Sequence, residues 1–263
     1  MTPELAFLTS LALQAGEILR AGVNQHFQID RKGVIDLVTE MDRRSEDYIL
    51  GAIRAQFPTH RITSEEVGLV DGDASHEWFI DPLDGTVNYA HGIPLYTVSI
   101  AYAENGQVRL GVVYDPSRDE LYTGVRDSGA WMNGHPIHVS AAQNLDQSLL
   151  VTGFPYDIRT HTEKNLDHFV DFSLRSQGVR RLGSAALDLC YLAAGRLDGF
   201  WEIRIKAYDI AAGGLIAEEA GAQVTKVDGS SDYLASPCSI LAATPGIHPH
   251  MLELLKSKTI KNQ

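Results

Sequence analysis

Cysteine is almost absent from this sequence, which has only Cys190 and Cys238 in 263 residues. No CxxC pair and no cluster of Cys and His surrounds either position. The sequence therefore indicates neither a disulfide framework nor a cysteine zinc site. Both thiols are expected to be buried or incidental in a reducing compartment.

Basic residues are scarce as well, because 22 Lys and Arg stand against 34 Asp and Glu, for a net charge of −12. Proteins that bind nucleic acids generally present a basic face, so this class is disfavoured and no nucleic-acid partner is expected. A protein this acidic needs a local source of positive charge, such as a metal ion, to hold an anionic substrate.

Long apolar runs are also missing. The longest uncharged stretch near the C-terminus, residues 233–252, contains three prolines and several Ser and Thr, so it is not a membrane span. The N-terminal segment lacks a basic start, and Glu4, Glu17 and Arg20 interrupt the apolar core that a signal peptide requires. No membrane association and a cytoplasmic location are expected.

The composition that remains, 44% hydrophobic and 21% charged, is typical of a globular protein. Apolar periodicity predicts helices mixed with strands in both halves of the chain, which gives an α+β or layered α/β class. A boundary near 140–148 divides the chain into an N-terminal half, 1–145, and a C-terminal half, 146–263. Predicted helices lie near 5–22, 42–57, 166–174, 185–194, 210–220 and 248–256, and strands near 78–80, 96–103, 108–114, 120–125, 149–152, 199–205, 223–227 and 240–243.

The most informative segment is D-P-L-D-G-T-V-N-Y at 81–89, directly after a short apolar strand. Asp81 and Asp84 flank a proline-rigidified turn and can converge on one point, where two like charges are costly unless a cation lies between them. Oxygen ligands of this kind suit Mg²⁺, which commonly bridges protein carboxylates and substrate phosphate. Gly85 and Thr86 then offer backbone N–H groups to phosphate oxygens. An ordinary turn capped by aspartates is the alternative.

Further acidic residues are available to complete such a site. Glu65 and Glu66 precede the strand, Asp42 follows the run at 36–39, and Asp209 opens a predicted helix. Each of them alone is equally typical of a helix cap or a solvated charge. Together with the turn at 81–89, they supply enough carboxylates for phosphoryl transfer with two or three metal ions.

Five segments of the sequence resemble the inositol monophosphatase family and follow one another along the chain in the order expected for it. The family consists of Mg²⁺-dependent, lithium-sensitive phosphatases and includes fructose-1,6-bisphosphatases and nucleotide phosphatases. The resemblance covers almost the whole chain and implies a layered α/β/α/β/α sandwich, an α+β fold, usually as a homodimer. Residues 81–89 match the signature D-P-[LI]-D-G-T-x-N-[FY] in full. The other segments are K-G-V-I-D-L-V-T-E-M-D at 32–42, E-E at 65–66, G-S-A-A at 183–186, and Glu202 followed by Y-D-I-A-A-G at 208–213.

The resemblance implies a metal ligand set in which two Mg²⁺ ions share Asp81. The first ion is held with Glu65 and the backbone carbonyl of Leu83, and the second with Asp84 and Asp209. Glu65 also helps to bind a third, more labile ion. Tyr208 replaces the usual Trp of the family beside Asp209, and Ser64 and Ser184 replace common Gly and Thr residues, but no proposed ligand is lost.

The resemblance also implies how substrate is bound and attacked. Gly85 and Thr86 receive the phosphate, while Asp42, Glu65 and Thr86 belong to the catalytic group, in which Asp42 and Thr86 orient or deprotonate the attacking water. Glu202 bonds a substrate hydroxyl in a pocket lined by Gly183, Ser184 and Ala185.

The expected activity is hydrolysis of a small phosphorylated polyol or sugar, first of all myo-inositol-1-phosphate, because Glu202 suits a polyol. A fructose-1,6-bisphosphatase needs cations for its distal phosphate, and histidinol phosphate and nucleotide 3′-phosphates stay open. The basic candidates are Arg180, Arg181, Arg204 and Lys206. A second class, a regulatory binding protein associated with the transcription machinery, stays open because some bacterial members of the family have that association.

Other motifs fit less well. A haloacid-dehalogenase motif, D-x-D-G-T, needs Asp at position 82, which is Pro. Neither a P-loop nor a GxSxG elbow is present, which disfavours the usual NTPases and serine hydrolases. A Ca²⁺ loop starting at Asp71 would place Pro82 where the last ligand, a glutamate, is required.

Overall fold

Two β-sheets alternate with three layers of helices in the structure, a computed structural model that describes residues 2–23, 29–31, 37–155 and 157–259. The helices are α1 (Leu5–Gly22), α2 (Glu40–Gln56), α3 (Thr86–Ala90), α4 (Leu166–Ser173), α5 (Ala185–Ala193), α6 (Ala207–Glu219) and α7 (His248–Thr259). The strands are β1 (Ile29–Arg31), β2 (Leu37–Thr39), β3 (His60–Ser64), β4 (Gly68–Val70), β5 (Asp73–Asp84), β6 (Thr97–Glu104), β7 (Gln107–Asp115), β8 (Glu120–Val125), β9 (Gly129–Met132), β10 (His135–Pro136), β11 (Leu149–Thr152), β12 (Gly178–Arg180), β13 (Gly199–Glu202), β14 (Gln223–Thr225) and β15 (Ile240–Ala243).

The larger sheet has eight strands in the order β10-β9-β8-β7-β6-β5-β3-β4. Its neighbours pair antiparallel except β3 and β5, which run parallel. The second sheet has five strands in the order β12-β11-β13-β15-β14, with β11 parallel to both of its neighbours. A separate antiparallel pair joins β1 and β2.

Alternation along the strands explains the layers, because successive side chains of a strand point to opposite faces. On β5, Trp78 and Ile80 pack with α1 and α2, whereas Phe79 packs with α5 and α6 on the other face. On β13, Phe200 joins the same α5–α6 layer, and Trp201 packs with α4 and α7. The resulting order, helices, sheet, helices, sheet, helices, confirms the expected α+β layered sandwich.

Most predicted elements are confirmed, and the differences concern their ends. The strand predicted at 78–80 is the twelve-residue β5, which runs through the 81–84 motif. The second helix begins at Glu40, and the helix predicted from 210 begins at Ala207, so that Asp209 lies inside its first turn. The strand predicted at 199–205 ends at Glu202.

The α4 helix also forms as predicted. Of the face predicted from Leu166, Phe169, Val170 and Leu174, Phe169 is half-buried and the other three are exposed, whereas Phe172 is fully buried. Residues 32–36 of the first family segment lie outside the described residues. The division into halves at 145 and 146 stays a prediction. Among the described helices, none is long and apolar enough to cross a membrane.

The position of α6 is set by two glycines of the larger sheet. A Cβ on Gly111 of β7 would lie 2.8 Å from the backbone oxygen of Ala212. A Cβ on Gly124 of β8 would lie 3.1 Å from the Cα of Ile216. Since these contacts involve helix backbone, which cannot turn aside as a side chain can, only glycine allows α6 to approach this closely.

We therefore expect Gly111→Ala to lower the free energy of unfolding by about 1–3 kcal/mol, the usual cost of overpacking. Gly51→Ala is the matched control, because Gly51 is an exposed position of α2 with no atom within 4 Å of an added Cβ. That control is expected to gain about 0.5–1 kcal/mol from the better helix propensity of Ala. Urea unfolding followed by circular dichroism measures both, and equal stability of Gly111→Ala and wild type would contradict the packing argument.

Candidate active site

The end of β5 and the residues that follow it form a turn held by its own hydrogen bonds. The pairing of β5 with β6 is interrupted between Asp81 and Asp84, which frees this segment from the regular ladder. The backbone N–H of Leu83 donates to Asp81 Oδ1 at 3.0 Å. Gly85 has φ of +93°, and a Cβ there would lie 2.8 Å from the Leu95 carbonyl oxygen, so glycine is required. The short helix α3 then begins at Thr86.

Helix α2 supports this turn from below with polar side chains on one buried face. Asp42 Oδ2 accepts from the backbone N–H and the hydroxyl of Thr39, at 2.7 and 2.6 Å, which caps the helix. Asp42 Oδ1 accepts from the Thr86 hydroxyl at 3.0 Å. One turn later, Ser45 donates to the Pro82 carbonyl oxygen at 2.8 Å. The helix cap and the motif turn are therefore parts of one hydrogen-bonded unit.

Glu46, the next residue of that face, holds the segment that carries Glu65. Its buried Oε1 accepts from the Ser64 hydroxyl at 2.5 Å and from the backbone N–H groups of Glu66 and Val67, both at 3.1 Å. The backbone N–H of Glu65 donates to the Ile80 carbonyl oxygen at 3.2 Å. These bonds place Glu65 against the end of β5, where its side chain shares a hydrogen bond with Asp81.

Asp209 reaches the same place from the first turn of α6. Its Oδ2 accepts from the backbone N–H of Lys206 at 3.0 Å, so it caps its helix and is buried at the same time. Burial, followed by the charges of Asp84 and Glu65, raises the pKa of Asp209 well above its ordinary value. The structure thus brings together all four predicted carboxylate ligands: Glu65, Asp81, Asp84 and Asp209.

Burial dominates the electrostatics of these acids, and for Asp81 and Asp209 the charges of neighbouring carboxylates add to it. Burial, and then the charges of Glu65, Asp84 and Asp209, raises the pKa of Asp81 well above its ordinary value. Burial raises the pKa of Asp84 to about 6, although hydrogen bonds from Ser184 and Ala186 oppose the rise. Buried carboxylates that repel one another favour either protonation or a cation among them.

The donor set fits Mg²⁺ in its chemistry, since all of its members are oxygens. Within the described residues, no three His, Cys, Asp or Glu side chains already form a ligand set around one point. The Asp84 carboxylate explains part of this, because its Oδ2 accepts at 2.7 Å from both the Ser184 hydroxyl and the Ala186 N–H. Mg²⁺ is bound by carboxylate and carbonyl oxygens and completes its shell with water and phosphate oxygens, so the residues present fit it.

A cleft of about 660 Å³ opens beside the carboxylates. Asp84 and Asp209 lie on its wall together with the predicted substrate residues Gly183, Ser184, Ala185 and Glu202. The other predicted residues are not among those that line the cleft: Asp42, Glu65, Asp81, Leu83, Gly85 and Thr86. Asp81, Leu83, Gly85 and Thr86 adjoin Asp84 in the motif, Thr86 is hydrogen-bonded to Asp42, and Glu65 contacts Asp81.

Glu202 ends β13 in a buried position against Gly153, where a side chain larger than hydrogen would overlap its carboxyl group. Burial raises the pKa of Glu202 to about 8, although the charge of Arg181 opposes the rise. Of the four basic candidates, Arg181, Arg204 and Lys206 line the cleft, and Arg204 pairs with Asp157.

Several residues of the site were not singled out from the sequence. Ser45 and Glu46 stand three and four positions after Asp42, a spacing that places all three on one helix face and that signals their shared role. Asn88 joins the turn to the substrate loop, because its Nδ2 donates to the carbonyl oxygens of Leu95 and Leu182 at 2.8 and 2.7 Å. Gly153 has no local signal, since only the folded chain brings it to Glu202.

Comparison with known proteins decides the family. The model of the inositol monophosphatase family matches residues 1–259. This chain belongs to the inositol monophosphatase family. It is 42% identical to an inositol-1-monophosphatase of Mesorhizobium japonicum over 96% of both chains, and 40% identical to a protein of Pasteurella multocida named Nus factor SuhB over 97% of both. Its fold matches that of an inositol monophosphatase from an Anabaena (Nostoc) species with a TM-score of 0.87, at 42% identity, over 96% of this chain and 95% of the other.

The raised pKa of Asp84 predicts how stability depends on pH without metal. Its folded pKa of about 6 lies above the value of an unfolded Asp, so ionisation destabilises the fold above pH 6, by about 3 kcal/mol at most. In EDTA, Asp84→Asn should therefore unfold at a higher temperature than wild type at pH 8, and the difference should shrink as the pH falls through 6 toward 4.

Adding Mg²⁺ at pH 8 should reverse the order, because the ion stabilises only a site with its carboxylate intact. Differential scanning fluorimetry measures both conditions. Asp47→Asn, an exposed change on the outer face of α2, is the control. If the difference in unfolding temperature between wild type and Asp84→Asn changed neither with pH nor with added Mg²⁺, the account would be contradicted.

Proposed function

We propose that this protein is a Mg²⁺-dependent phosphatase that hydrolyses a small phosphate monoester, myo-inositol-1-phosphate first of all. Membership of the family supports phosphatase chemistry. The observation that carries the proposal is that Asp84 and Asp209 line the cleft while Glu65 and Asp81 lie close enough for the four charges to interact. The polyol substrate is supported by the buried Glu202 on the cleft wall and by the name of the Mesorhizobium relative.

In this proposal, Glu65, Asp81 and the Leu83 carbonyl would hold one Mg²⁺, and Asp81, Asp84 and Asp209 would hold a second, with a third near Glu65. The ions would supply a lowered pKa for a water and neutralisation of charge on the phosphate and on the leaving oxygen. The backbone N–H groups of Gly85 and Thr86 receive phosphate oxygens.

Asp42 and Thr86 form a proton path for the attacking water. The Thr86 hydroxyl donates to Asp42 Oδ1 at 3.0 Å and is also 3.0 Å from the Leu83 carbonyl oxygen, which fixes its position. Burial raises the pKa of Asp42, so that this carboxylate accepts a proton more readily than an exposed one. As the water oxygen bonds to phosphorus and the ester bond breaks, a proton passes through Thr86 to Asp42, and the leaving oxygen takes a proton from solvent.

The leaving group lies in the pocket formed by Gly183, Ser184 and Ala185, where Glu202 binds a hydroxyl. The cations Arg181, Arg204 and Lys206 on the same cleft keep a sugar bisphosphate as an alternative substrate. Sensitivity to lithium, a homodimer and a cytoplasmic location stay predictions.

A second candidate function, binding to the transcription machinery, is supported by the relatives named Nus factor SuhB. It does not exclude catalysis, because the carboxylate ligands are all present. The two functions separate in a variant that lacks turnover: a binding role survives the loss of activity, and a purely catalytic role does not.

We expect phosphate release from myo-inositol-1-phosphate in the presence of Mg²⁺ and none in EDTA. Asp209→Asn should lower kcat/KM by at least about 100-fold, corresponding to about 2.7 kcal/mol of transition-state stabilisation. Asp47→Asn should leave the rate within about twofold of wild type. The same assay with fructose-1,6-bisphosphate, histidinol phosphate and adenosine 3′,5′-bisphosphate ranks the substrates. Hydrolysis that persists in EDTA or in Asp209→Asn would contradict the metal assignment.

A further inference from the structure

Asp188 is a buried acid in the cleft that the proposed mechanism does not use. It lies on α5, is 1% exposed, and is among the residues that line the cleft. Its Oδ1 is buried and accepts no hydrogen bond from the described residues. A carboxyl group buried without a partner costs free energy, so its presence calls for a ligand or another reason.

The local structure of α5 does not supply that reason. An acid near a helix N-terminus often serves as its cap, but Ser184 already does so by accepting from the Leu187 N–H at 3.3 Å. The backbone N–H of Asp188 donates to the Ser184 carbonyl oxygen at 3.0 Å, as in any helix, and this bond needs no side chain. The carboxyl group of Asp188 therefore contributes no bond that α5 depends on.

The surroundings of Asp188 indicate what it binds. The charges that act on it come from Glu202 and Asp84, which repel it, and from Arg181, which attracts it. The charge of Arg181 also attracts Glu202, which lines the same cleft. A carboxyl group can bond a hydroxyl whether it is ionised, as an acceptor, or protonated, as a donor. Two such groups on one wall suit a ligand that carries several hydroxyls.

Building on the proposed function, we infer that Asp188 is a second hydroxyl-binding residue, which acts with Glu202 to select phosphate monoesters of polyols over monoesters without hydroxyl groups. In this assignment a substrate hydroxyl is the hydrogen-bond partner of Asp188 Oδ1, which has none among the described residues. Selectivity then arises because an analogue that lacks the hydroxyl leaves a buried polar group unsatisfied.

The test compares myo-inositol-1-phosphate with p-nitrophenyl phosphate, a monoester without hydroxyl groups, at saturating Mg²⁺. For Asp188→Asn and Asp188→Leu, the ratio of kcat/KM for the polyol to kcat/KM for the aryl ester should fall about tenfold, the loss expected for one hydrogen bond to a charged group. The fall should arise mainly from a higher KM for the polyol. Asp171→Asn, the same change on α4 in an ion pair with Arg175, is the control and should leave the ratio unchanged.

Unfolding temperatures separate a binding role from a structural one. Leu has the same number of side-chain heavy atoms as Asp, branched at the same carbon, and it removes the buried carboxyl group, so Asp188→Leu should unfold at or above the temperature of wild type. A lower unfolding temperature together with equal losses on both substrates would overturn the inference, and so would an unchanged ratio. Wild-type protein that hydrolyses neither ester with Mg²⁺ would instead contradict the proposed function, and the inference would fall with it.

Discussion

The clustering of three buried aspartates with the half-buried Glu65 is the constraint on which the rest of this structure depends. Glu65, Asp81, Asp84 and Asp209 come from three separate parts of the chain. Burial raises the pKa values of the three aspartates, and neighbouring carboxylate charges raise those of Asp81 and Asp209 further. Neighbouring buried carboxylates stay together only if other interactions hold them in place, and a cation among them relieves their repulsion. A net charge of −12 is compatible with the proposed phosphate substrate, because bound cations would reverse the local potential.

The fold supplies the restraint at two levels. Close to the site, the buried face of α2 binds the turn through Asp42 and Ser45 and binds the Glu65 segment through Glu46. Farther away, Gly111 and Gly124 let α6 settle on the larger sheet, and this contact delivers Asp209 from the second half of the chain. Packing and hydrogen bonds elsewhere in the molecule thus hold these neighbouring carboxylates in place, as is common where function and stability conflict.

Prediction from the sequence succeeded where the signal is local. The run at 81–89 marks the turn, Gly85 and two of the acids that lie together, and apolar periodicity gives most helices and strands. The resemblance to a family supplied what periodicity could not, namely the layer order and the joining of Asp209 to Asp84. Neither route identified Glu46 or Asp188. Glu46 accepts from the backbone N–H of Glu66, which lies 20 residues farther along the chain. Asp188 Oδ1 has no hydrogen-bond partner among the described residues, which only the folded cleft reveals. In α4 the helix was predicted but its buried side was not. Helical spacing shows which apolar residues share a face, but it does not show whether another part of the chain covers that face.

The most direct test of the central claim is a crystal structure with Mn²⁺ and inorganic phosphate, read from the anomalous scattering of the metal. The account predicts Mn²⁺ among the carboxylates of Glu65, Asp81, Asp84 and Asp209, with the phosphate at the N–H groups of Gly85 and Thr86. It also predicts that the Asp84 carboxylate gains the metal as a partner in addition to Ser184 and Ala186. Anomalous peaks only elsewhere, with the four acids free of metal, would contradict the account.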